Sequence, residues 1–338
     1  MYVKRNISFN VVWKFARLPL LLFIIYGLGV TLLFHYLDHE GINASIPFAP
    51  INTIGIAVAF YLGFKNNQSY DRFWEGRKIW GGIVNYSRTW GNQILSYLSQ
   101  RHLVNDLSDE AIYTVQKRLI YRHLAYINAL RLQLRRPTSF SIDHSKKSSR
   151  VYKSETQDEE WKHDVGVFLD HEEINDYTSK TNIATQLIRR QGKDLKECLE
   201  MGLIEDFRHM DIMHSLEEFY SLQGKAERIK KTPLPRQYSY FSNVFVLIFI
   251  LLLPFGLVGE FAKLGHNIMW LNVPFFVLIA WVFWTMETIG DSSEDPFEGF
   301  INDVPMTALC RTIEIDLREM LDEEDIPDAI IAVNDILM

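Results

Sequence analysis

Cysteine is almost absent from this 338-residue chain: Cys198 and Cys310 are the only two, far apart and in no CxxC pair. That excludes a disulfide framework and leaves two reduced packing residues. No GxxxxGK[ST], GxGxxG, HExxH or GxSxG pattern occurs, so the chain is not expected to be an enzyme. Strand-like alternation of any length is missing, as is an internal repeat. Acidic residues are absent before Asp38, whereas Lys4, Arg5, Lys14 and Arg17 precede it. The net charge of −7 gives no basic face for nucleic acid.

The most informative absence is that of charge. Hydrophobic residues make up 48% and charged ones 23%, which averages to a soluble composition, but the charges are segregated. Four runs lack Asp, Glu, Lys and Arg: 18–37, 41–64, 237–259 and 264–286, of 20, 24, 23 and 23 residues. About 20 residues at a rise of 1.5 Å cross a 30 Å hydrocarbon layer. Four such runs are expected to be membrane spans rather than buried helices of a soluble protein. The first is too long for a signal-peptide core, and "HYLDHEG" after it offers no small-residue cleavage site, so it is expected to be retained.

Orientation follows from the basic residues. The loop after the first run holds Asp38 and Glu40 without Lys or Arg, and the second loop holds Glu260 and Lys263. The positive-inside rule then places both termini and the segment 65–236 in the cytoplasm. That segment is expected to be helical, with apolar residues at three- and four-residue steps in 112–134 and again through 180–231. Gly192, Gly202 and Gly224 are candidate breaks there. The polar, Ser-rich stretch within 137–165 reads as a loop or insertion, and "TPLPRQY" (232–238) stops one helix before the third span.

The second run continues without proline into "GFKNNQSYDRFWEGRKIW" (63–80), so one helix should pass from hydrocarbon into water. Its wheel shows two stripes. One is bulky: Ile56, Phe60 and Phe64, with Asn52 a turn before and Gln68 a turn after. The other is small: Gly55, Ala59 and Gly63, a spacing that lets membrane helices approach closely. The bulky stripe could face lipid or a neighbouring span; in several copies around an axis it would instead form an apolar constriction that gates by dewetting. Tyr70, Phe73 and Trp74 fall at headgroup depth, and Arg72, Glu75 and Lys78 can pair at three-residue spacing. Asp206, His209, Asp211 and His214 in "EDFRHMDIMH" are the best metal candidates, but the two histidines are five apart, off the helical pair spacing, and no metal site is expected.

"SYDRFWEGRKIWG" (69–81) after "FYLGF" (60–64) resembles the hallmark of the bestrophin family in its bacterial branch. "GKAERIKKTPLPRQYSY" (224–240), "LLLPFGLV" (251–258) and "EDPFEGFINDVPMTALCRTIEIDLREML" (294–321) resemble further family segments, in order and over nearly the whole chain. The resemblance implies an all-α polytopic membrane protein, four spans per subunit with a helical cytoplasmic vestibule, assembled as a homopentamer around a central pore. The expected layout is 1–66 with spans near 18–37 and 46–64, the vestibule region 67–236, spans three and four in 237–290, and a cytoplasmic tail 291–338 packing on the vestibule.

Matched through "RFW", the family's neck positions fall on Ile56, Phe60 and Phe64, flanked by Asn52 and Gln68. Its cytoplasmic aperture falls on Ile229. Arg72, Trp74, Glu75 and Arg77 carry the motif and are expected to brace the helix. The implied function is passive conduction of small monovalent ions in a bacterial inner membrane, anions as in animal relatives or cations as in bacterial ones. Lipid, the permeant ion and further copies of the chain are the partners. A membrane-anchored scaffold or sensor binding a cytoplasmic partner or metabolite is the alternative. The sequence departs from calcium-activated members in the tail: Pro296-Phe297 is followed by "EGFIND" rather than a run of acids. Calcium takes six to eight oxygen ligands, so calcium gating is not expected and no cofactor is assigned. Asp291, Glu294 and Asp295 read as solvated juxtamembrane acids or partners of cytoplasmic basic residues.

Overall fold

A computed structural model describes residues 1–42, 44–99, 107–138, 157–178 and 180–338. Ten α-helices follow one another among these residues. They are α1 (Phe9–His39), α2 (Phe48–Tyr97), α3 (Asp109–Arg135), α4 (Gln157–Asp164), α5 (His171–Thr178), α6 (Ile183–Glu200), α7 (Asp206–Lys231), α8 (Arg236–Leu264), α9 (Asn272–Ser292) and α10 (Met306–Met320). Extended pairing among the described residues is confined to isolated bridges at Tyr2, Val333 and Ile336.

Four helices are long and apolar enough to cross a membrane: α1, α2, α8 and 268–292, which contains α9. Their lengths reflect the charge-free runs, because a helix satisfies every backbone polar group within itself, as hydrocarbon requires. Helix α2 continues for 50 residues, about 75 Å at 1.5 Å per residue. Nothing in 63–80 lacks an N–H, so the ladder proceeds through the change from apolar to charged side chains.

Of the three candidate breaks in the second helical stretch, only Gly202 acts as one. It adopts φ +79° in the turn between α6 and α7, a conformation that a side chain would resist. Gly192 and Gly224 lie inside α6 and α7. Pro235 precedes α8 directly, as the proline pair in 232–238 implied. Within the polar 137–165 stretch, α4 occupies Gln157–Asp164 and a 3₁₀ turn at Gly166–Phe168 follows it; 139–156 lies outside the described residues.

The chain divides into two compact units, one of residues 4–72 and 233–294, the other of 1–3, 73–232 and 295–338. The first contains the four membrane-length segments. Ile51, Val58 and Leu62 of α2 pack with Val246, Phe249, Ile250 and Leu253 of α8 and Phe276 and Ala280 of α9. Asn272 donates to Thr31 at 2.9 Å in the buried interior, a polar tie of the kind that joins helices in lipid. Leu18, Leu22, Ile25 and Leu32 on α1 stay exposed, which suits hydrocarbon and would be a liability in water.

The second unit is a water-type helical core. Trp80, Ile83, Trp90 and Ile94 from the later part of α2 pack with Leu119, Ile120 and Leu130 of α3, Leu187 and Leu195 of α6, Phe219 of α7 and Ile313 and Leu317 of α10. Arg122 at its centre donates to Asp194 at 2.8 Å and pairs with Glu173 at 2.5 Å. Cys198 and Cys310 are free and buried here, and burial pushes their thiols up to about 11 and about 12, so both stay protonated packing groups.

Candidate functional site

The membrane-length part of α2 has one face packed within its unit and one face open. Ile51, Gly55, Val58, Leu62, Lys65 and Ser69 are buried. Asn52, Ile56, Phe60, Phe64 and Gln68 are exposed, with Ile56, Phe60 and Phe64 at 65%, 68% and 51%. Phe60 and Phe64 stack edge to face, centroids 4.6 Å apart. Three large apolar side chains thus line one open stripe, capped by an amide at each end. Leaving them uncovered is unfavourable in water, so the stripe calls for lipid, another copy of the chain, or a narrow and partly dry passage.

The small stripe behaves differently from its expectation. Gly55 makes the close approach: a Cβ there would stand 2.7 Å from the Phe249 ring. Ala59 is exposed, and a Cβ on Gly63 would meet nothing within 4 Å. Only the first of the three seats α2 on α8, because the stripe turns away from the unit's interior as the helix advances.

Below Phe64 lies a feature that sequence reading missed. Lys65, the first charge after the second charge-free run, is fully buried. Its Nζ lies 2.6 Å from Glu287 and 2.5 Å from Asp291 on α9. Ser242 of α8 donates to the other oxygen of Glu287 at 2.6 Å, and Ser239 donates to Asp291 at 3.4 Å. The available signal was that Lys65 and Glu287 each stand one residue past a charge-free run, with opposite signs.

The motif residues spread over several surroundings. Arg72 donates through Nε to the Glu294 carbonyl at 2.8 Å. Trp74 is half exposed. Glu75 pairs with Lys78 at 2.8 Å on the same helix, and Arg77 lies half-buried along α2 beside Gly81. Ile229 is packed into the core of the second unit at 7% exposure.

The acids at and after the end of α9 are not solvated, contrary to one of the two readings given to them. Glu294 is fully buried and Arg236 approaches it at 3.6 Å; Asp291 and Asp295 are buried as well. Their partners come from elsewhere in the fold, which local polarity could not reveal. Glu298 forms a 2.7 Å pair with Lys230, the side chains 1% and 7% exposed. Asp303 accepts from the N–H groups of Gly299 at 2.7 Å and Phe300 at 3.0 Å. The two acids nearest the place of a calcium-binding run are therefore engaged in an ion pair and a turn.

Burial raises the Asp303 carboxyl from 3.8 to about 7, against the opposing pull of those two N–H groups. Its native form therefore keeps a proton between about pH 4 and pH 7 that the unfolded form releases. The contribution of this group to stability falls as pH rises through that window. Asp303→Asn keeps an acceptor for both N–H groups and is expected to flatten this part of the melting-temperature profile in detergent, with a gain over wild type above pH 7. An unchanged pH slope would refute the assignment.

Among the described residues no three His, Cys, Asp or Glu side chains come together as a metal group. Asp211 instead accepts from Gln93 and Tyr97, both at 2.8 Å. His209 and His214 line a shallow apolar groove with Met210, Met213, Ile188 and Tyr220. The Ser87–His123 contact at 2.8 Å is a core contact: complete burial lowers the imidazole to about 3, so it stays neutral and out of reach of a substrate.

The family model for Bacterial/Fungal Bestrophin protein matches residues 9–319. The Escherichia coli (strain K12) protein called voltage-dependent anion channel-forming protein YneE is 28% identical over 313 residues, 92% of this chain and 88% of that one. A Ralstonia nicotianae protein, voltage-dependent anion channel-forming protein RSc3414, is 27% identical over 323 residues, 94% and 92% of the two chains. The crystal structure of a bacterial bestrophin homolog from Klebsiella pneumoniae superposes with a TM-score of 0.75 at 24% identity, covering 91% of this chain and 99% of that one, a match of fold.

Proposed function

The chain belongs to the family of bacterial and fungal bestrophins, and from that premise we propose that it forms a homopentameric channel conducting small monovalent ions. The stripe Ile56, Phe60 and Phe64 supplies the neck, with Asn52 and Gln68 at its two ends. The supporting observation is the division of α2 into a face buried in its own unit and an apolar face left open. A helix that only anchored a domain would have no need to hold two phenylalanines and an isoleucine in line, capped by amides.

The neck acts as a barrier, because an ion entering an apolar ring leaves part of its hydration shell and gains no ligand in return. Ile229 is packed in its own subunit's core, so this reading places the constriction on α2 and gives Ile229 a packing role. We place the channel in the bacterial inner membrane with both termini in the cytoplasm, where the basic flank before α1 belongs. The relatives' names favour anions as the permeant species.

Purified protein in a planar bilayer under asymmetric NaCl should give single-channel currents. The sign of the reversal potential assigns the permeant ion: the equilibrium potential of chloride for an anion channel, that of sodium for a cation channel. Silence from correctly assembled protein would overturn the channel reading in favour of a membrane-anchored binding module.

A further inference from the structure

The buried charges below the neck do something an apolar contact could not do as well: they fix one point of α2 on its neighbours. Lys65 follows Phe64 directly, so the last residue of the stripe and the buried ammonium are adjacent on the chain but about 100° apart on the helix. The ammonium is held by two carboxylates on successive turns of α9, at 2.6 and 2.5 Å. Glu287 is in turn held by Ser242 of α8 at 2.6 Å. A second observation places the tie at backbone contact: between those carboxylates, a Cβ at Gly290 would collide with Oδ1 of Asn66, the residue after Lys65. Helix α2 thus rests on bare α9 backbone at this point, and the charges clamp it there.

We propose that Lys65, with Glu287 and Asp291, is a positioning lock that keeps the neck from closing. The proposal rests on the channel reading above. Five exposed apolar stripes facing one axis gain by touching one another, since contact removes apolar surface from water. What opposes that collapse is the attachment of each α2 to its own α8 and α9. The Lys65 cluster ties α2 to α9 at the residue that follows Phe64. It is also directional: an ammonium between two carboxylates is satisfied in one register, whereas leucines would tolerate sliding. Lys65 touches no permeating ion in this scheme; it acts through the position of Phe64.

The test compares three forms of the full-length channel in planar bilayers, each checked for pentamer size and melting temperature in detergent. Lys65→Arg retains the ionic tie and should conduct as wild type. Lys65→Met alone leaves two buried carboxylates together and serves as the destabilised reference. The informative form combines K65M, E287Q and D291N, which removes every charge of the lock and strands none. If the lock positions the neck, this form assembles and melts like wild type while its open probability falls about tenfold or more, a typical coupling between a remote element and a gate. Adding Phe64→Ala should restore opening by removing the apolar drive to close. If the charge-free form opens like wild type, the cluster is structural and the proposal is overturned. Wild-type silence would instead reject the channel reading itself, so the two failures are distinct.

Discussion

Phe64→Ala should raise ion flux about tenfold, the change that follows from lowering a barrier by about 1.4 kcal/mol. The ring is 51% exposed and its nearest aromatic neighbour is Phe60 on the same helix, centroids 4.6 Å apart. Its truncation removes bulk from the open stripe and little from the packed core, which on α2 is Ile51, Val58 and Leu62. The fold should therefore hold its melting temperature while the constriction widens and wets. An ion passing an alanine ring sheds less of its water, and the closed, dry state loses part of its apolar contact. Single-channel recording reads the result as higher conductance, higher open probability or both, and flux into liposomes reads their product. Phe60→Ala should act in the same direction, because the two rings form one layer. Wild-type currents from both variants would remove the stripe from the permeation path, even if the protein conducts.

Glu298→Ala carries the largest expected cost in stability. The Glu298 carboxylate and the Lys230 ammonium lie 2.7 Å apart with side chains 1% and 7% exposed, and each offsets the other's removal from water. Deleting the acid leaves the Lys230 charge buried, a loss of about 3–5 kcal/mol in comparable pairs. The thermal unfolding of the detergent-solubilised protein should drop accordingly. Combining Lys230→Met with Glu298→Leu should recover most of the loss, since an apolar pair of similar size needs no partner charge. Equal melting of Glu298→Ala and wild type would show that the ammonium reaches solvent. The same substitution bears on calcium: a carboxylate neutralised by Lys230 is a poor ligand for a cation.

Much of the arrangement was legible along the chain because its causes are local. A charge-free run of 20 or more residues meets a thickness requirement that involves no other part of the protein, and the four runs at 18–37, 41–64, 237–259 and 264–286 coincide with the four membrane-length segments. The stripe Asn52, Ile56, Phe60, Phe64 and Gln68 was legible for the same reason: four residues make about one turn, so residues of one kind at that step share one side. The uninterrupted course of α2 through residues 63–80 followed from the absence of any proline there.

Other features were not legible, and each failed where partners are distant in sequence. Lys65 stands where the helix was expected to pass from hydrocarbon into water, yet it is fully buried. Its partners Glu287 and Asp291 lie 222 and 226 positions away. Asp291 and Glu294 were left between a solvated reading and one as partners of basic residues, because polarity is all that a local window reports; which bases they meet, Lys65 and Arg236, is decided across helices. The small stripe Gly55, Ala59 and Gly63 shows the same limit within one helix. Spacing says that three residues share a side, but only Phe249 decides that the first is packed and the third is open.

By itself the amino-acid sequence determined that this chain has four segments long and apolar enough to cross a membrane, that α2 runs unbroken from its apolar into its charged part, and which side of α2 is bulky and apolar. Hydrophobic length and helical period depend on near neighbours alone. The tertiary structure decided which buried charges meet: Lys65 with Glu287 and Asp291, and Lys230 with Glu298, 68 residues apart. Those choices belong to packing. A charge enters a low-dielectric interior only where the fold brings an opposite charge within hydrogen-bond reach, and no single stretch of chain carries both halves of that condition.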